Sequence, residues 1–177
     1  MTRRWVGGRR GQVPPEVLDR ALTPGEKVLA GTQAADGTWL LASRERFCAV
    51  GPDVASAVLR LRWEDVQRAD WDRDNATLRV EAVRDYGEPV ATWVYEIQEP
   101  GALVPLIRER VDASIVLQRR VRVVGKRGFT VVARRPPSGR GELTWSFEFD
   151  PGINPSDPVV ATATDVALGE AQESLGL

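Results

Sequence analysis

The pattern of apolar and polar positions changes period several times along the 177 residues, and each change marks a predicted element. After Pro14-Pro15-Glu16, the residues Val17, Leu18, Ala21 and Leu22 fall at helical spacing until Thr23-Pro24-Gly25 ends them. From Glu26 the period becomes that of strands. Stretches 27–32 and 38–42 flank Asp36-Gly37, a pair suited to a tight hairpin, and 46–50 follows as a third strand. Leu59, Leu61 and Trp63 alternate with Arg60, Arg62 and Glu64, which predicts a half-buried strand with its arginines toward water. Stretches 67–71 and 77–83 form a hairpin across Asp72-Arg73-Asp74-Asn75, whose side chains bond to turn backbone, and 90–97 carries Trp93, Tyr95 and Ile97 on one face. Leu103, Ile107 and Val111 then recur every four residues, with Leu106 and Ile115 beside them and Pro105 confined to the first turn.

A second series of strands follows at 116–124, 129–133 and 143–149, the last with Leu143, Trp145, Phe147 and Phe149 alternating with polar residues. Asp157 or Ser156 caps a final helix with Pro158 at its first position, and Val159, Ala163, Val166 and Ala167 are its expected apolar stripe. The chain thus divides into an arm at 1–12, a strand-rich unit with a helix at its end over 13–115, and an extension over 116–177. The extension is too small to bury a large core alone and is expected to pack on the first unit.

Three segments of the first unit are similar to a known family. They are Thr23-Pro24-Gly25-Glu26, then Leu40-Leu41-Ala42-Ser43-Arg44-Glu45-Arg46-Phe47, then Trp63-Glu64-Asp65-Val66. Together they resemble bacterial pleckstrin-homology-like (PH-like) domains. Those domains share a Pro-Gly-Glu opening, a leucine-rich second strand running into a Thr/Ser-x-x-Arg turn, and a later aromatic-Glu-Asp-Ile/Val segment. The resemblance covers residues 20–115 and implies an α+β fold, mainly β, whose antiparallel barrel is closed by a helix. It implies binding, carries no catalytic residues over, and leaves the C-terminal strand and helix extension unmatched.

Composition narrows the chemistry. There is no histidine, which removes Ser-His-Asp and Cys-His nucleophile systems and His-ligated metal sites, and the single cysteine, Cys48, removes any internal disulfide. Asp70, Asp72 and Asp74 loosely match a calcium loop, but Asn75 stands where glycine is required and Arg73 adds positive charge. Gly125-Lys126-Arg127-Gly128 is too short for a phosphate loop. The expectation is a non-enzymatic protein with no cofactor, and cytoplasmic, because its first residues lack the apolar run of a signal peptide and nothing is long enough to span a membrane.

Charge adds one candidate site. Of the 24 basic residues 22 are arginine, a skew that accompanies many Ala, Val and Gly and reads as compositional bias rather than phosphate recognition. Their placement matters more: residues 108–140 carry 10 basic and 2 acidic groups, net +8, whereas 141–177 carry 7 acidic and none basic, net -7. Two readings follow. The two blocks fold back and neutralise each other, or Arg119, Arg120, Arg122, Lys126, Arg127, Arg134 and Arg135 present a cationic surface to nucleic acid, anionic lipid or an acidic protein. An unidentified protein partner is the leading expectation, met at a strand edge or in the groove beside the closing helix. A homodimer through the Trp145, Phe147 and Phe149 face is a further option, and Trp5 in the arginine-bearing arm either anchors a partner or packs back on the first unit.

Overall fold

The computed structural model describes residues 13–84 and 89–177; the arm at 1–12, including Trp5, lies outside the described residues. The helix α1 (Pro15–Ala21) precedes a four-stranded antiparallel meander of β1 (Val28–Gln33), β2 (Trp39–Ser43), β3 (Arg46–Val50) and β4 (Val58–Arg62). A single 3-10 turn, Trp63–Asp65, leads into a three-stranded meander of β5 (Val66–Asp72), β6 (Thr77–Ala82) and β7 (Thr92–Glu96). The helix α2 (Leu103–Ser114) comes next, and β8 (Ile115–Val124), β9 (Arg127–Arg134) and β10 (Thr144–Phe149) build a third antiparallel sheet in the order β10-β9-β8 before α3 (Pro158–Ser174). Among the described residues no helix is long and apolar enough to cross a membrane.

The main core follows from strand alternation. Leu40, Ala42, Phe47 and Ala49 share one face of the first sheet, and they meet Leu78 and Val80 of β6 and Leu103, Ile107 and Val111 of α2 in one buried cluster. Pro105 sits in the first turn of α2, where its missing N–H costs nothing. The Asp72–Asn75 turn forms as its side chains require: Asp72 accepts from the amides of Asp74 and Asn75 at 2.9 and 3.1 Å.

No closed barrel is found; the two meanders remain separate ladders. Two local features keep them apart. The ladders shift register between Val28 and Ala30 in β1 and between Val66 and Arg68 in β5, which twists those edges away. Among the described residues the first sheet meets the β7 side through isolated bonds, from the Ala35 amide to Glu96 O at 2.9 Å and from the Thr32 hydroxyl to Glu99 O at 2.9 Å.

The other face of the first sheet is also covered, while Arg60 and Arg62 of β4 are exposed, as their alternation predicts. Leu41, Cys48 and Val50 pack against Val17 and Ala21 of α1. A seven-residue helix is not stable alone, so side chains must hold it. Arg60 donates through Nε to Ala21 O at 3.1 Å and through Nη2 to Arg20 O, satisfying carbonyls at the end of α1. Arg20 in turn donates to Gly51 O and Ser56 O at 3.2 and 2.9 Å.

In the third sheet Phe129 and Val131, with Leu117, Val121, Trp145, Phe147 and Phe149, form a cluster with α3. The aromatic face considered for a homodimer is therefore engaged within its own chain. Asp157 caps α3 by accepting from the Val159 amide at 2.8 Å, but the buried stripe is Val160, Ala167 and Ala171. Val159 and Val166, expected inside, are 67% and 56% exposed.

Candidate functional site

The structure splits the seven basic candidates rather than gathering them. Arg119 lies on the face of the third sheet that meets α3, and it pairs with Glu170 at 2.6 Å. Arg120 and Arg122 point to the opposite face. Arg120 grips Asp150 with both terminal nitrogens, one bond being 3.0 Å, and the Gly128 amide donates to the same carboxylate at 2.8 Å. The bonds from Arg120 and Gly128 hold the Asp150 carboxyl below its ordinary pKa. Arg127 lies beside Gly152, near the same carboxylate, while Arg122 and Lys126 are exposed and Arg135 is half-buried.

Arg134 is not available to any surface ligand, because it is 3% exposed. Its guanidinium donates to the Ser114 hydroxyl at 3.2 Å and to Gln67 O at 3.1 Å, so it ties the third sheet to the end of α2 and the start of β5. Burial lowers its pKa, opposed by the charge of Glu148. The C-terminal end of α2, beside one of the two expected contact surfaces, is thus bonded to the chain's own extension.

Glu170 and Asp150 come from the acidic block, so the fold-back of the two blocks is realised in two ion pairs, with Arg119 and Arg120, while Glu148 acts on Arg134 through its charge alone. Exposed pairs of this kind contribute little stability but cancel long-range field. The full chain is accordingly expected to leave a heparin column near 0.15 M salt, a level at which a true phosphate binder with several contacts is still retained. An Arg119→Ala, Arg120→Ala, Arg122→Ala chain should elute at the same place. Retention that falls steeply with salt and disappears in the triple variant would restore the cationic-surface reading.

A different site is built at the other end of the first unit. Between α1, the following loop and β1 lies a groove of about 720 Å³, lined by Val13, Leu18, Leu22 and Val28 with Asp19, Glu26 and Lys27 among its polar groups. The volume is in the range of roughly 300–1,000 Å³ that ligand pockets occupy.

One wall of the groove is held by a polar node on which the segments 23–26, 40–47 and 63–66 converge. The Ser43 hydroxyl donates to Glu26 Oε1 at 2.5 Å and accepts from the amides of Glu45 and Arg46 at 3.1 Å each. Arg46 Nε reaches the same Glu26 oxygen at 3.2 Å, while Thr23 donates to Oε2 through its amide at 3.1 Å and its hydroxyl at 3.0 Å. Trp63 closes the node by donating its indole N–H to Ser43 O at 3.2 Å. Burial alone would raise the pKa of Glu26, but the bonds from Ser43 and Thr23 and the charge of Arg46 outweigh it and hold the carboxyl below its ordinary value.

No family model, curated protein or solved structure matches this chain. The reading of the groove therefore rests on its own residues. Cys48, behind the groove's floor, is fully buried, and burial together with the charge of Glu26 pushes its thiol up to about 11, so it serves packing rather than chemistry. Among the described residues no three His, Cys, Asp or Glu side chains are grouped to hold a metal, and Asp70 is instead paired with Arg68 at 2.5 Å.

The charge pattern announced the Arg119 and Arg120 pairs. It did not announce the groove, whose lining residues read in sequence as one short helix and a turn.

Proposed function

We propose that this protein is a non-enzymatic, cytoplasmic PH-like interaction module that binds an apolar segment of another protein in the groove beside α1. The groove itself carries the proposal. Its surface is mainly apolar, Glu26 in its wall is fixed by the Ser43 bond, and a pre-formed wall lowers the ordering cost of a docking segment. The order of four strands, three strands and a helix supports the PH-like reading, as does the meeting of Glu26, Ser43, Arg46 and Trp63, which come from all three segments of the resemblance.

Selection of displayed random peptides against the immobilised full chain tests the reading. Enriched peptides should be apolar, should bind with little dependence on salt, and should lose about tenfold or more in affinity to a folded Leu22→Glu chain, the size expected when a carboxylate meets a docked apolar anchor. Peptides that bind the variant equally well, or enrichment of none, would sink the groove as the binding surface.

A further inference from the structure

We propose that the groove beside α1 is the docking site of the chain's own first twelve residues, with Trp5 as the inserted anchor. This rests on the reading of the groove as a binding surface and names its resident ligand. The first argument is position: Val13, where the described chain begins, is itself part of the groove wall. Trp5 lies eight residues earlier, a distance an extended chain covers with up to about 28 Å. The helix that forms the opposite wall has seven residues and is only about 10 Å long, so the whole groove is within reach.

The second argument is chemistry. Residues 1–12 hold one large aromatic residue, Trp5, and four arginines with no acid. The groove offers aliphatic walls for an indole, and α1 displays Glu16 and Asp19, both exposed, at its side. Several other carboxylates are already paired: Asp65 with Arg62, Asp70 with Arg68, Glu81 with Arg79, Asp150 with Arg120 and Glu170 with Arg119. Glu16 and Asp19 form no ion pair with any described residue. Tethering supplies the rest, since a short linker holds its ligand at an effective concentration on the order of millimolar and makes even weak docking populated. An external partner must then displace the arm, which makes the first twelve residues a built-in competitor.

Fluorine NMR of the full chain labelled with 5-fluorotryptophan tests this. The six tryptophans give six signals, and Trp5→Phe identifies its own by removing it. In the unaltered chain the Trp5 signal should lie away from that of free 5-fluorotryptophan, and Leu22→Glu should return it there while the other five signals stay in place. A Trp5 signal at the free position from the start, or one that ignores Leu22→Glu, overturns the proposal. Should the other five signals also move, showing a disturbed fold, photo-crosslinking of Trp5→p-benzoylphenylalanine decides in the otherwise unaltered chain. A crosslink to residues 13–28 of the same molecule supports docking, whereas a crosslink elsewhere or to a second molecule overturns it. Selected peptides that bind the groove while Trp5 stands free would remove this inference and leave the proposed function intact.

Discussion

Trp63→Ala is expected to lower the unfolding free energy by about 3–5 kcal/mol, roughly half of what a typical domain possesses. Trp63 is fully buried in the turn that carries the chain from the first sheet to the second. Two losses combine. The indole leaves a large cavity between Phe47, the sheets and α2, and Ser43 O loses the 3.2 Å bond from the indole nitrogen. That carbonyl belongs to the residue whose hydroxyl donates to Glu26, so the damage reaches the groove wall as well as the core. Urea unfolding should show the midpoint falling with the slope unchanged, which separates lost stability from a change in the unfolded ensemble. Trp63→Phe keeps most of the packing and removes only the donor, so its cost should be nearer about 1–2 kcal/mol. A loss below about 1 kcal/mol for the alanine variant would contradict the place given to Trp63 at the centre of the core.

The elements of this fold are legible in the chain because each strand has a two-residue alternation and each hairpin its own turn chemistry. Asp36-Gly37, Asp72–Asn75 and Gly125-Lys126 all stand between paired strands. What alternation cannot show is which distant backbone group a polar side chain will bond. Arg60 reads as a solvent residue of β4 and is exposed, but its guanidinium also bonds to the carbonyls of α1. The stripe of α3 was ambiguous for another reason: Val159 and Val160, and again Val166 and Ala167, stand side by side, so two faces of the helix satisfy the same spacing. Packing on Phe129 and Val131 chooses the face with the smaller residues at its far end, Ala167 and Ala171, which let the helix approach the sheet closely. The candidate site shows the same limit. In sequence Glu26, Ser43, Arg46 and Trp63 stand in three separate segments, and only the fold brings them into one node beside one groove.

Gly128→Ala should be the most damaging glycine-to-alanine change among the described residues, costing at least about 3 kcal/mol in the third sheet, at or beyond the upper end of ordinary overpacking. Gly128 has no need of a left-handed backbone; what it needs is room. A β-carbon there would lie 2.0 Å from Val121 O and 2.9 Å from the Arg122 Cα, both backbone atoms that no rotamer change can move aside. The crowding arises where β8 shifts register between Arg122 and Val124 and folds over β9. Relief requires the two strands to part, which also strains the Gly128 amide bond to Asp150 and the return bond from the Asp150 amide to Gly128 O, 2.8 and 2.9 Å. The next residue is Phe129, fully buried with its ring centroid 6.0 Å from Phe147 and 5.5 Å from Phe149. Hydrogen exchange locates the effect: amides of β8, β9, β10 and α3 should lose protection, while β2 and β3, whose core does not involve this sheet, keep theirs. The outcome also measures how firmly Arg134 joins the two parts. If β2 and β3 open together with the third sheet, the bonds from Arg134 to Ser114 and Gln67 make the chain one cooperative unit. If they stay closed, that guanidinium is a clasp between two units that melt separately, and unchanged protection throughout would contradict the close strand approach at Gly128.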